Sequence, residues 1–220
     1  MATNWADDRG LSLTELMVVA MLLGFILAAA WSVMFAVNAT TNSLSARAVA
    51  TDESQLFLDN IARELRQADN LKSLGATGTT NADAQGAFSE IATRSATFYV
   101  DLYHDGRAKK VRYYVSGNSL YRQEWASNAP YTYPYTWAST PTSTKVVIKS
   151  IDPAWTGSIF TYYAKVYGSG NALGSDPIAS TVASVTAVTI QVSNLQTWNN
   201  NSASYGASST VRVRAIGNKF

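Results

Sequence analysis

From Leu16 to Val37 the chain runs for 22 residues without one ionisable side chain. A helix rises about 1.5 Å per residue, so this stretch spans roughly 33 Å, enough to cross the hydrocarbon core of a bilayer. Hydrocarbon offers no partner to a backbone N–H or C=O, and a helix satisfies both within one segment. The run is therefore read as a membrane helix. A secretory signal is the competing reading, with Leu16 to Leu27 as a short apolar core and Ala28-Ala29-Ala30 as the cleavage motif. Such signals begin with a basic stretch, whereas the residues before this run carry Asp7, Asp8 and Glu15 against a single Arg9.

Glu15 stands at the mouth of the run. A carboxylate beside hydrocarbon costs several kcal/mol unless it is paired or reaches water, which makes it a candidate functional group. Its surroundings, Arg9-Gly10-Leu11-Ser12-Leu13-Thr14-Glu15-Leu16-Met17-Val18, resemble the N terminus of the type IV prepilin and pseudopilin family. In that family a hydrophilic leader ends in glycine, the mature chain starts with an apolar residue, and its fifth residue is glutamate. Gly10, Leu11 and Glu15 occupy those places. The resemblance implies cleavage between Gly10 and Leu11 by a membrane aspartyl prepilin peptidase on the cytoplasmic side, N-methylation of Leu11, and an assembly role for Glu15. It also implies a single-pass protein of the cytoplasmic (inner) membrane, with its C-terminal domain outside the cytoplasm, that passes into an extracytoplasmic filament. The implied partners are other pilin or pseudopilin subunits, the peptidase, and membrane lipids before assembly.

The chemistry of Glu15 agrees with that implication. An ammonium created at Leu11 would be a second charge near hydrocarbon, and opposite charges attract far more strongly there than in water. Leu11 and Glu15 lie at i and i+4 of one helix, yet the family's usual pairing is with the amine of a neighbouring subunit; both remain open. The plainer alternative is a carboxylate snorkelling to the headgroups.

With 220 residues and 47 % apolar side chains, the chain is long enough for one packed domain beside the membrane segment. There is no cysteine, so disulfides, thiol catalysis and cysteine zinc sites are excluded. Orientation does not follow from flanking charge, because Arg9 and Arg47 lie on opposite sides of the run. Deleting Arg9, Asp7 and Asp8 with the leader leaves 16 basic and 13 acidic residues, a formal +3. That excess is too small to mark a polyanion binder.

Beyond Asn38-Ala39-Thr40-Thr41-Asn42-Ser43, the residues Phe57, Ile61, Leu65 and Ala68 recur at helical spacing, as one buried stripe requires. Asp59, Arg63, Glu64, Arg66 and Gln67 fill the remaining surface and are read as solvated. A helix from Leu11 to Leu71 would extend roughly 90 Å. Gly24 and the Asn/Thr patch are the expected places of loosening. From Ala87 the period changes to two, and strands are expected at Thr97 to Tyr103, Lys110 to Val115 and Ser119 to Trp125. Further strands are expected at Lys145 to Ile151, Ile159 to Tyr167, Ala187 to Val192 and Thr210 to Ala215. Asp105-Gly106 and Ser116-Gly117-Asn118 supply turns between the first three. The expected organisation is a leader at 1–10, a membrane or filament-core helix at 11–37, its amphipathic continuation at 38–72 and a β-rich head at 73–220. The fold class is α+β, a long N-terminal helix packed on an antiparallel β-sheet.

Within the resembled family, Val111 to Arg122, the terminal Thr210-Val211-Arg212-Val213-Arg214 and the helix text Ile61 to Ala68 are most similar to W-type minor pilins and J-type minor pseudopilins. The implied function is a minor subunit that initiates or caps a type IV pilus-like filament, in secretion, DNA uptake or a pilus. An alternative is a filament-tip or membrane-tethered binding module for DNA or a surface. Tyr131, Tyr133, Tyr135 and Trp137 form a candidate partner-binding loop, since tyrosine and tryptophan give large contact area at modest entropic cost. The same rings also suit a loop folded over the sheet. Lys109, Lys110, Arg112, Arg212 and Arg214, beside Tyr113 and Tyr114, are the candidate basic strip for DNA, weighed against an ordinary solvated sheet face. Asp101, His104 and Asp105 could bind a metal or shuttle protons, but His104 is the only histidine, Asp105 is better explained by the turn and Asp101 falls on an expected strand. No catalytic residue, metal or cofactor is expected.

Overall fold

The computed structural model describes residues 12–69, 86–101, 107–128, 135–164, 185–198 and 201–213. One helix, α1 (Leu13–Gln67), continues for 55 residues through both Gly24 and the Asn38 to Ser43 patch. The polar side chains of that patch bond back onto the helix instead of breaking it. Thr40 Oγ1 donates to the Ala36 carbonyl at 2.9 Å, and Ser43 Oγ to that of Thr40 at 2.8 Å. Such back-bonding lets short hydroxyl side chains sit within a helix without an outside partner.

The chain divides into two compact units, residues 1–45 and 46–220. Among the described residues the first is helix alone, and its apolar side chains are exposed: Phe25 is 74 % accessible and Leu23 56 %. In the second unit the helix turns Ala50, Phe57, Leu58, Ile61, Ala62 and Leu65 into a core. Each large apolar side chain removed from water contributes about 1.5–3 kcal/mol. The helix stops at Gln67, where Ala68 begins to pair with Val100 and the Asp69 N–H donates to the Tyr99 carbonyl at 3.2 Å. Leu71, the expected end of the helix, lies outside the described residues.

Five antiparallel strands follow in sequence order: β1 (Phe88–Ala92), β2 (Ser95–Val100), β3 (Lys109–Ser116), β4 (Ser119–Ala126) and β5 (Ser143–Ile148). In β3, Val111 and Tyr113 are buried while Lys110, Arg112 and Tyr114 point to the other face. Gly117 closes the β3 to β4 turn with φ of +58°, a left-handed conformation that costs other residues more than glycine.

The remaining strands form a second sheet, so the expected α+β architecture of a long helix packed on antiparallel β-sheet holds, with its strands divided between two sheets. It comprises β6 (Phe160–Ala164), β7 (Val185–Trp198) and β8 (Asn201–Arg212), all antiparallel. The Thr93 carbonyl accepts the Ile159 and Phe160 N–H groups at 2.8 and 3.0 Å, and Ile151 bridges to Asn194, which ties the two sheets together. Alternation along a strand says which residues share a face but not which strands share a sheet. β7 and β8 extend well beyond the expected Ala187 to Val192 and Thr210 to Ala215, and β1 was not foreseen as a separate strand. Ser193 to Trp198 and Asn201 to Ser209 are polar, but a ladder needs backbone groups and not apolar side chains.

Phe57 on α1 meets the Tyr113 ring at 5.9 Å, and Tyr113 stacks on Phe98 at 6.1 Å. Inward residues of the second sheet, including Val188 and Ile190, join the same core.

Candidate functional site

At the start of α1, Gly10 and Leu11 lie outside the described residues. Glu15 is described, and its carboxylate has a local partner. The Ser12 N–H donates to Glu15 Oε2 at 2.8 Å, while the Glu15 N–H donates to Ser12 Oγ at 3.2 Å. This reciprocal pair is a capping box, which satisfies two N–H groups that a helix start otherwise leaves open. The signal was present as Ser-x-x-Glu ahead of an apolar run, and the reading of Glu15 through Leu11 passed over it. Glu15 also sits in the first turn, where the positive end of the helix dipole favours an anion.

A carboxylate has about four acceptor positions, so the capping contact leaves capacity for an ammonium. No other charged side chain occurs in α1 before Arg47. Leu16 to Val37 is long and apolar enough to cross a membrane, and none of that stretch is buried.

In the head, Glu64 corrects the expectation of a solvated polar surface: it is buried. Its Oε2 accepts the Tyr113 hydroxyl at 2.8 Å, and its Oε1 accepts Arg122 Nε at 2.9 Å. Arg122 Nη1 also donates to Glu124 at 2.9 Å, and Lys109 Nζ reaches the same carboxylate. Charges therefore alternate along Glu64, Arg122, Glu124 and Lys109. Each buried charge requires this pairing, because an unpaired ion away from water costs several kcal/mol.

The titration behaviour follows from the arrangement. Burial pushes the Tyr113 hydroxyl well above its ordinary pKa of 10.0, and the adjacent Glu64 charge adds to it. Burial works against the Arg122 charge, but the hydrogen bond and charge of Glu64 more than offset it and raise its pKa. Burial would raise Glu124, yet hydrogen bonds from Lys109 and Arg122 outweigh it and hold the carboxyl below its usual range. The cluster holds ions in fixed pairs and contains no free nucleophile, so it serves as a tie between α1, β3 and β4. Glu64 lies seven residues after Phe57, on the edge of the apolar stripe, and that spacing was the available signal.

The aromatic loop is only partly described. Tyr135 is 7 % exposed, and Trp137 stacks on Tyr99 of β2 at 5.7 Å. These two rings cover the sheet beside Ala108. Burial raises the Tyr135 pKa, and the Asp101 charge contributes. Tyr131 and Tyr133 lie outside the described residues, as do His104, Asp105 and Arg214.

The candidate basic strip is divided by the fold. Lys109 turns to the Glu124 side of β3, Arg212 belongs to the second sheet, and Lys110 and Arg112 share the opposite face of the first. Among the described residues no group of three or more His, Cys, Asp or Glu is placed to hold a metal ion. Comparison with protein-family models and with curated proteins finds no match to this chain.

Proposed function

We propose that this chain is a minor pilin-like or pseudopilin subunit that assembles through its N-terminal helix into a type IV pilus-like filament, at its initiation or tip. The carrying observation is Glu15. It is the lone charge on the described helix before Arg47, at the amino end of an exposed apolar surface. An exposed apolar helix needs lipid or other helices around it, and an acid placed there needs a cation. Cleavage after Gly10 would create such a cation on Leu11, four residues away, in this subunit or a neighbour. The head supports the reading through its helix-on-sheet α+β architecture, which is what the resemblance implies.

Under this proposal the protein resides in the inner membrane with its head outside the cytoplasm until assembly, and it needs no cofactor. The test is the mature N terminus, obtained by mass spectrometry of chain expressed with a prepilin peptidase. N-methylated Leu11 is expected. A chain beginning at Trp31 would overturn the proposal in favour of conventional signal cleavage.

A further inference from the structure

The face of β1 to β4 that points away from the core carries a cleft of about 520 Å³, lined by Glu90, Thr97, Tyr99, Lys110, Arg112 and Trp125 among others. Cross-strand register puts these groups side by side: Lys110 opposite Trp125, Thr97 opposite Arg112, and Glu90 opposite Thr97. Lys110 Nζ lies 5.7 Å from the centre of the Trp125 ring, and the Arg112 guanidinium lies 5.2 Å from that of Tyr114. Tyr114 in turn stacks on Tyr121 at 5.4 Å. The face is thus a row of aromatic platforms with two cations laid over them.

The cations are not fully engaged. Arg112 approaches Glu90 only to 3.6 Å, beyond hydrogen-bond length, and its Nε has no hydrogen-bond partner among the described residues. Glu90 is itself positioned by Ser95 Oγ at 2.9 Å and Thr97 Oγ1 at 3.0 Å, and its carboxylate retains acceptor capacity. A ligand fitting this cleft has a flat apolar side for Trp125, an acidic group for Lys110 and Arg112, and hydroxyl donors for Glu90.

We propose that the outward face of the five-stranded sheet binds an acidic oligosaccharide, one ring packing on Trp125 with its carboxylate between Lys110 and Arg112. A uronic acid residue has all three features: a pyranose face of C–H groups, one carboxylate and several hydroxyls. Single-stranded nucleic acid fits less well. It follows a continuous basic groove, whereas this cleft offers two cations beside one ring, enough for a single acidic sugar residue. The cleft volume lies within the range of about 300–1,000 Å³ common for small-ligand sites. The binding needs no assembled filament, so its failure and that of the assembly proposal are separable.

The test is calorimetric titration of the full chain in detergent micelles with tetragalacturonate, with cellotetraose as the neutral control and a twelve-residue oligothymidylate as the nucleic-acid control. Saturable binding of tetragalacturonate is expected, with cellotetraose weaker. Lys110→Gln, Arg112→Gln and Trp125→Ala should each weaken it about tenfold or more, the loss expected for removing one charge-assisted or ring contact. Trp125→Phe should recover part of that loss, which guards against misfolding of the alanine variant. Lys149→Gln, at an exposed lysine outside the cleft, should change nothing. Absence of binding, tighter binding of the oligothymidylate, or unchanged affinity in the Lys110 and Arg112 variants would each overturn the proposal.

Discussion

Glu64 on α1 and Arg122 on β4 form an ion pair at 2.7 Å, with their side chains only 11 % and 13 % exposed. The same carboxylate takes the Tyr113 hydroxyl from β3, so one acidic side chain ties the helix to two strands. An apolar stripe alone leaves a helix free to slide along a sheet, while a hydrogen-bonded ion pair has one register.

Removing Glu64 should be costly. Glu64→Leu strips Arg122 and Tyr113 of their shared acceptor and should lower stability by about 3 kcal/mol, whereas Glu64→Leu with Arg122→Leu should recover much of that loss. Denaturant unfolding of both variants tests this. A Glu64→Leu cost below about 0.5 kcal/mol, the size of an ordinary surface change, would refute the tie.

Stability should have an acid limb set by Glu124. Its folded pKa is lowered, so the unfolded chain binds the proton more readily in the interval between the two values. The contribution is present above the unfolded carboxylate pKa and is lost as pH falls through the depressed folded one. Glu124→Gln should flatten this limb in melting temperatures measured against pH, and an unaltered limb would contradict the assignment.

The alkaline side has the opposite sign. The Tyr113 pKa is raised, so its contribution is full below the unfolded value near 10 and declines as pH rises toward the folded one. Tyr162, raised by burial, adds to the same decline. Tyr113→Phe should cost about 1–2 kcal/mol at neutral pH and reduce the steepness of the loss above pH 10. An identical alkaline slope in the two proteins would count against Tyr113.

Glu15 combines a capping acceptor with a charge, and two substitutions separate them. Glu15→Gln keeps an oxygen for the Ser12 N–H but removes the charge, and Glu15→Ala removes both, at about 1 kcal/mol of local helix stability. If the charge carries assembly, both variants should lose filament incorporation by pull-down or immunoblot of sheared filaments. Wild-type incorporation of Glu15→Gln would reduce Glu15 to a cap.

Gly117 makes a simpler case. Its positive φ predicts a loss of about 1 kcal/mol in Gly117→Ala, with Gly117→Asn losing less because asparagine tolerates that region. Equal stability of wild type and Gly117→Ala would show that the turn relaxes.

Much of the fold was legible because its signals are local. The stripe Phe57, Ile61, Leu65 and Ala68 is buried as its spacing indicated, and β3 and β4 fall where alternation placed them. The polar halves of β7 and β8 escaped notice because their ladder is made by backbone groups that every residue carries. Glu64 was misplaced because a charged residue at the border of a stripe looks solvated until Arg122, 58 positions away, is brought beside it. The two cations of the outward cleft were visible in the sequence, but their separation from Lys109 and Arg212 followed only from strand pairing.

By itself, the sequence determined a membrane-length helix with a single acid at its mouth, a cysteine-free β-rich head, and the inward and outward sides of its best-patterned strands. These rest on composition and on periods of 3.6 and 2, which any short stretch of chain carries. Only the tertiary structure decided that the strands divide into two sheets, that Glu64 is an internal ion, and that Trp125, Lys110, Arg112 and Glu90 line one cleft. Those outcomes depend on which distant faces meet, and the free energy of burying a charge or a ring is defined only once its partner is in place.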